Sequence, residues 1–213
     1  MKITKFGQCC LLVEVEGKRI LTDPGKFSVS QNQLRDIDLV LITHEHSDHL
    51  HTESIKEIVH NNPEVKIVTN SSVAKILHDL GIDSQVLEGR SVDEVGGISV
   101  EAFDGKHEEI FEEYGQVQNT GYFIAEKLFY PGDAYTEPGR EVEILALPVA
   151  GPWCKCADAL SYAIRVMPEV TFPVHDWLLN EDGIALTYGI FESQLKSHGI
   201  QFVRLTNDET KEF

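Results

Sequence analysis

The stretch Thr43-His44-Glu45-His46-Ser47-Asp48-His49-Leu50-His51 decides how this chain is read, because four of its nine histidines fall there among carboxylates. It directly follows Ile37-Asp38-Leu39-Val40-Leu41-Ile42, an apolar run of the kind found in a strand buried on both faces. Residues two apart share a face in extended backbone, whereas on a helix the same spacing splays them. His44 and His46 therefore converge on one ion, and a tight turn brings Asp48 and His49 toward a second. Such density of donors at a strand end predicts a metal site.

Outward from that stretch, residues 1–23 read as a strand meander. Leu11-Leu12-Val13-Glu14-Val15 and Arg19-Ile20-Leu21-Thr22 flank a turn at Glu16-Gly17-Lys18, and Asp23-Pro24-Gly25 stops the third strand. Residues 26–36 are polar and predict a loop with a short helical turn. After the histidines, Thr52 is the expected cap of a helix carrying Ile55, Ile58 and Val59, ended by Asn61-Asn62-Pro63. A strand at 65–69 and a helix with Val73, Ile76, Leu77 and Leu80 on one face follow.

Residues 84–130 change to a strand pattern, with period-two alternation over 98–103 and a pair, 121–125 and 128–130, joined at Glu126-Lys127. The acidic segment Glu108 to Tyr114 reads as a solvated loop. Strand and helix alternate again to the end: strand 142–149, helix 158–167 stopped by Pro168, strand 170–174, helix 187–198 and a closing strand at 201–205. This order predicts an α/β layered fold, and the absence of repeats or linkers predicts a single domain over residues 1–213.

Further metal donors are expected at comparable positions, just beyond buried strands. His107 follows the strand ending at Phe103, Asp133 follows Leu128-Phe129-Tyr130, and His175 follows the strand ending at Val174. His60, His78 and His198 are expected in the last turns of helices, where a partly positive ring meets the dipole, and His51 is placed outside the ligand set.

The formal charge of −17 argues against tight nucleic-acid binding, which needs clustered Lys and Arg. No apolar window is long enough to span a bilayer, and the first residues carry no signal-peptide core, so a cytoplasmic protein without membrane attachment is expected. Cys9-Cys10 and Cys154-Lys155-Cys156 lack structural-zinc spacing and fit reduced thiols.

His44-x-His46-x-Asp48-His49, followed by His107, Asp133 and His175, resembles the ordered motifs of the metallo-β-lactamase superfamily, with Asp23 at its first motif. The resemblance covers essentially the whole chain. It implies a four-layer αβ/βα sandwich with two metals between the sheet edges. In the family pattern His44, His46 and His107 hold one ion, Asp48, His49 and His175 the other, and Asp133 bridges them. The opening Lys2 to Gly7, with Gly17 to Pro24, is similar to the compact branch of metal-dependent hydrolases that includes L-ascorbate-6-phosphate lactonase. That branch usually has His and a small residue after the glycine, where this chain has Gln8-Cys9-Cys10.

The resemblance implies a hydrolase acting on a small ester, lactone or phosphodiester-type substrate through water activated by two divalent ions, zinc in the first place, with manganese or iron as alternatives. Asp133 and Asp48 are the expected catalytic carboxylates and Asp23 an outer partner of a ligand histidine; Gln8, Cys154 and Cys156 are candidate outer or substrate contacts. The rival readings are an iron-dependent oxidoreductase such as a persulfide dioxygenase, and a metal-containing binding protein without turnover.

Overall fold

A computed structural model describes residues 1–213. The chain opens with strands β1 (Lys2–Lys5), β2 (Leu11–Val15) and β3 (Lys18–Thr22), then β4 (Leu39–Ile42), helix α1 (Thr52–Asn61), β5 (Lys66–Thr69), helix α2 (Ser71–Asp79) and β6 (Gln85–Val86). It continues with β7 (Val92–Val95), β8 (Ile98–Lys106), β9 (Gln118–Ile124), β10 (Leu128–Tyr130), β11 (Ile144–Pro148), α3 (Cys156–Val166), β12 (Val170–Val174), α4 (Glu181–Lys196), β13 (Gln201–Phe202) and β14 (Thr210–Glu212). A short 3₁₀ turn at Ser30–Gln33 interrupts the polar segment, as its composition predicts.

Two seven-stranded sheets result, in the orders β14-β1-β2-β3-β4-β5-β6 and β13-β12-β11-β10-β9-β8-β7. Three apolar clusters separate four layers. The central one, with Leu11, Leu41, Tyr122 and Phe172, lies between the sheets. A second packs Leu145 and Phe129 against Tyr162 and Phe191 of α3 and α4, and a third packs Val40 and Ile42 against Ile55, Ile58, Val73 and Leu77 of α1 and α2. Each sheet is covered on both faces, so the interior strands are continuous apolar runs: β4 and β11 are buried at every residue. This is the expected αβ/βα sandwich.

The differences from the sequence reading are local. The first helix is entered through His51, with Thr52 already inside it, and the His51 ring meets Ser54 Oγ at 2.9 Å. The last helix starts at Glu181 instead of Thr187, because Asn180 Oδ1 accepts the Gly183 N–H at 2.8 Å and caps an acidic first turn. It ends at Lys196, which leaves His198 beyond the helix. The closing strand shortens to Gln201–Phe202, and β8 runs on to Lys106. Strand β14 carries no apolar signal and exists through its pairing with β1. No helix is long and apolar enough to cross a membrane.

One ion pair ties the sheets together beside the strand ends. Lys5 Nζ donates to Asp176 Oδ2 at 2.6 Å with both side chains buried, and the Tyr188 hydroxyl donates to the same oxygen. Lys5→Ala leaves a buried carboxylate with one partner, and we expect a loss of about 3 kcal/mol of stability, read from urea unfolding.

Candidate metal centre

The loops that leave the carboxyl ends of strands in both sheets meet at one edge. β1 leads to Gln8 and Cys9, β3 to Asp23, β4 to His44, His46, Asp48 and His49, β8 to His107, β10 to Asp133 and β12 to His175. The crowding there is extreme at Gly25. A Cβ on this residue would lie 1.7 Å from the carbonyl oxygen of Asp48, and the Lys26 N–H donates to Ser47 O at 2.9 Å just beyond. Gly25→Ala must therefore displace the backbone that carries Asp48 and His49. The expected result is a loss of roughly 10–100-fold in affinity for an ion held there, measured by chelator competition. Gly189→Ala is the control, since a Cβ there meets nothing within 4 Å.

Two groups of donor atoms lie close together. His44, His46 and His107 form one, and Cys9, His49, Asp133 and His175 the other, each with its donors within 4.8 Å of one another. Asp48 stands beside the second group, its Oδ2 3.4 Å from His175 Nε2 and 3.7 Å from His49 Nε2. His46 is half-buried and meets the rings of His44 and His107 edge-on, at centroid distances of 4.8 and 4.6 Å.

Four of the rings are anchored through Nδ1. His49 donates to Asp23 Oδ2 at 2.7 Å, His107 to the Glu108 carbonyl at 2.6 Å and His175 to the Ala150 carbonyl at 2.6 Å. Carbonyl and carboxylate oxygens only accept, so the hydrogen of each ring sits on Nδ1. Thr43 gives its hydroxyl hydrogen to Asp23 Oδ2 at 2.7 Å and so accepts from His44 Nδ1 at 3.0 Å. Each Nε2 lone pair is thereby left for the centre of the site.

Asp133 occupies that centre. Its Oδ2 lies 2.9 Å from His175 Nε2, 3.2 Å from His107 Nε2 and 3.9 Å from His44 Nε2, and its Oδ1 lies 3.1 Å from His49 Nε2. A neutral Nε2 facing a carboxylate oxygen sets lone pair against lone pair; the contact needs either a second proton on the ring or a cation between. Burial pushes His49 and His175 down, but the Asp133 charge outweighs it and holds both well above the usual imidazole range. Burial pushes Asp133 up, and the positive rings of His175 and His49 hold it well below the carboxylate range. Burial and repulsion from His49 keep His44 well below the usual range.

His44 Nε2, His49 Nε2 and Asp133 Oδ1 are nevertheless buried without a hydrogen-bond partner. Orphaned atoms of this kind are rare and costly. Divalent cations satisfy all three, and the imidazole and carboxylate donor set suits zinc or a related first-row ion. The residues fit the group that the sequence pattern implies.

The surrounding contacts hold these donors in place. Asp23 is fully buried and accepts the Thr43 N–H and the Tyr130 hydroxyl, each at 2.7 Å, besides its bonds from Thr43 Oγ1 and His49. Gln8 spans two loops: its Nε2 donates to Asp48 Oδ2 and its Oε1 accepts the Trp177 N–H, both at 3.0 Å. Cys154 lies further out. Its Sγ receives the Tyr135 hydroxyl at 3.1 Å, and burial pushes its thiol up to about 11, opposite to the depressed value that thiolate chemistry requires. Burial also raises Cys156.

Three contributors escape sequence reasoning. Trp153 Nε1 donates to Asp133 Oδ2 at 3.2 Å, Asn119 Oδ1 accepts the Asp133 N–H at 3.0 Å, and Cys9 joins the second donor group. A signal for Trp153 exists in Gly151, which precedes it after a buried strand: a Cβ there would lie 3.1 Å from both the His175 ring and Trp153 Nε1. Asn119 leaves no such trace within β9.

Residues 2–175 match the family model described as the beta-lactamase superfamily domain. Protein Rv0786c of Mycobacterium tuberculosis is 30% identical over 194 residues, spanning 89% of this chain and 90% of its own. The UPF0173 metal-dependent hydrolase MJ1163 of Methanocaldococcus jannaschii is 23% identical over 191 residues, or 81% and 83% of the two chains. Among solved structures, Igni18, described as a novel metallo hydrolase from the archaeon Ignicoccus hospitalis, superposes with a TM-score of 0.77 at 21% identity, over 100% of this chain and 98% of its own.

Proposed function

The chain belongs to the metallo-β-lactamase superfamily, and from that premise we propose that it is a hydrolase with two divalent ions in this centre, acting on a small ester, lactone or phosphodiester-type substrate. The observation that carries the reading is the set of buried, unpartnered atoms at the centre: His44 Nε2, His49 Nε2 and Asp133 Oδ1, the two rings fixed from behind through Nδ1. His44, His46 and His107 would hold one ion, Asp48, His49 and His175 the other, and Asp133 would bridge. Ions bound there supply an activated water at neutral pH and polarise the substrate's carbonyl or phosphoryl oxygen; zinc is the first candidate and manganese or iron the alternatives.

The protein side of the reaction rests on Asp133 and Asp48. Trp153 Nε1 donates to the Asp133 carboxylate and Asn119 Oδ1 holds the Asp133 backbone N–H, so the carboxylate is positioned to orient the attacking water. Asp48 is only partly buried and is held by Gln8, which leaves it accessible as a proton acceptor. Gln8 stands where the lactonase-containing branch usually has histidine, a departure that argues against carrying that branch's substrate over to this chain and leaves the metal ligands untouched. Residues 1–213 act as one domain, and four unpaired thiols suit the reducing cytoplasm.

The test is reconstitution of metal-free protein with zinc, manganese or iron(II), followed by metal counting, a panel of esters, lactones and phosphodiesters, and oxygen uptake. Two ions per chain with hydrolysis of at least one class is the expected result. Oxygen consumption by the iron form without hydrolysis, or full turnover without metal, would overturn it.

A further inference from the structure

The second donor group contains a residue that the two-ion reading does not use. Cys9 is 2% exposed, and its Sγ lies within 4.8 Å of the donor atoms of His49, Asp133 and His175. Its backbone is fixed on both sides. Thr22 Oγ1 donates to Cys9 O at 3.0 Å, and the neighbouring Cys10 O accepts the Phe6 N–H at 2.9 Å. The preceding residue, Gln8, accepts the His175 N–H on its carbonyl at 2.8 Å. The Gly7–Cys10 segment is thus laced onto the loop that carries His175, and Cys9 cannot drift from the centre.

A buried cysteine in an apolar core needs no explanation beyond packing. Cys10 is that case, its side chain in the cluster beneath α1 and α2. Cys9 differs because two of its neighbours, His49 Nε2 and Asp133 Oδ1, are themselves buried and unpartnered. A sulfur, two imidazole nitrogens and a carboxylate oxygen around one point make a four-donor set of the kind zinc takes tetrahedrally.

We propose that Cys9 is a thiolate ligand of the second ion, completing a Cys9–His49–Asp133–His175 set, with Asp48 held beside it by Gln8. The proposal rests on the two-ion reading and replaces Asp48 with Cys9 among the ligands of its second ion. On coordination the thiol proton leaves to solvent and a metal–sulfur bond forms, with no change of oxidation state. A soft thiolate makes this subsite more selective for zinc or iron(II) over manganese or magnesium than the all-imidazole His44–His46–His107 subsite. The two positions would therefore differ in metal choice within one centre.

Cobalt(II) tests this without relying on turnover, because a cobalt–thiolate bond gives an intense near-ultraviolet charge-transfer band that imidazole and carboxylate ligands do not. Metal-free protein comprising residues 1–213 is titrated with cobalt(II) while bound metal is counted. The expected result is two ions per chain, the band growing with occupation of the second subsite. Cys9→Ser should lose the band and bind that ion more weakly by at least the roughly 10–100-fold that follows loss of an outer partner. Cys10→Ser, Cys154→Ser and Cys156→Ser should keep the band. Two ions bound to the wild-type protein without a band would overturn the thiolate ligand and leave the two-ion reading intact, a result that needs no variant to fold. A band that survives Cys9→Ser in a folded protein would overturn it too. Failure of the wild-type protein to take up a second ion would overturn both.

Discussion

Asp133→Asn should reduce hydrolysis by about 10³-fold or more in kcat/KM while the protein stays folded. The side chain keeps its shape, so the hydrogen bond from Trp153 Nε1 has a counterpart in the variant; the backbone N–H bond to Asn119 and the apolar layers are untouched. What disappears is the charge that stands 2.9 to 3.2 Å from His49, His107 and His175. An amide at that point can turn its NH₂ group toward ring nitrogens but offers little to a cation. Metal counting should show at least one ion per chain lost, and loss of metal and loss of turnover should track each other across the reconstitution series. Retention of both ions and of turnover would remove Asp133 from the mechanism.

Asp23→Ala should cost upward of about 4 kcal/mol in stability and also weaken the second ion by roughly 10–100-fold. Four donors converge on this carboxylate: Thr43 N–H, Thr43 Oγ1, His49 Nδ1 and the Tyr130 hydroxyl. All are buried, and an alanine strands the Thr43 N–H and removes the strongest acceptor of the other three. The ring of His49 then loses what fixes its Nδ1 hydrogen, and Thr43 is free to donate to His44 instead of accepting from it. Both rings can present the wrong nitrogen inward. Urea unfolding reads the first effect and chelator competition the second. A variant that loses stability while keeping metal affinity would confine Asp23 to the fold.

Much of this arrangement is legible in the chain. His44, His46, His49, His107, Asp133 and His175 each follow an apolar run, and the carboxyl ends of buried strands collect at one edge of a layered fold, so the convergence of these side chains follows from pattern alone. The helix-facing residues Ile55, Ile58, Val73 and Leu77 are read from spacing in the same way. What stays hidden depends on partners far away in sequence. Cys9 looks like any small core residue until β1 is placed beside the His175 loop, and Trp153 acquires its role only when Asp133 lies within reach. Strand β14 has the polar sequence Thr210-Lys211-Glu212 and becomes a strand because β1 presents it an open edge. The short reach of the Asn180 cap hides the start of α4, since Asp182-Gly183 reads locally as a turn.

The division of the donors between the two sheets has a consequence for assembly. Cys9, Asp23 and the histidines around Asp48 follow strands of the first sheet, and His107, Asp133 and His175 follow strands of the second; the chain crosses between β6 and β7 at residues 87–91 and returns between β13 and β14. Neither half owns a complete ligand set. A chain cut at residues 87–91 would yield two fragments that each hold only part of both donor groups, so ion affinity becomes a gauge of how faithfully the halves reassemble.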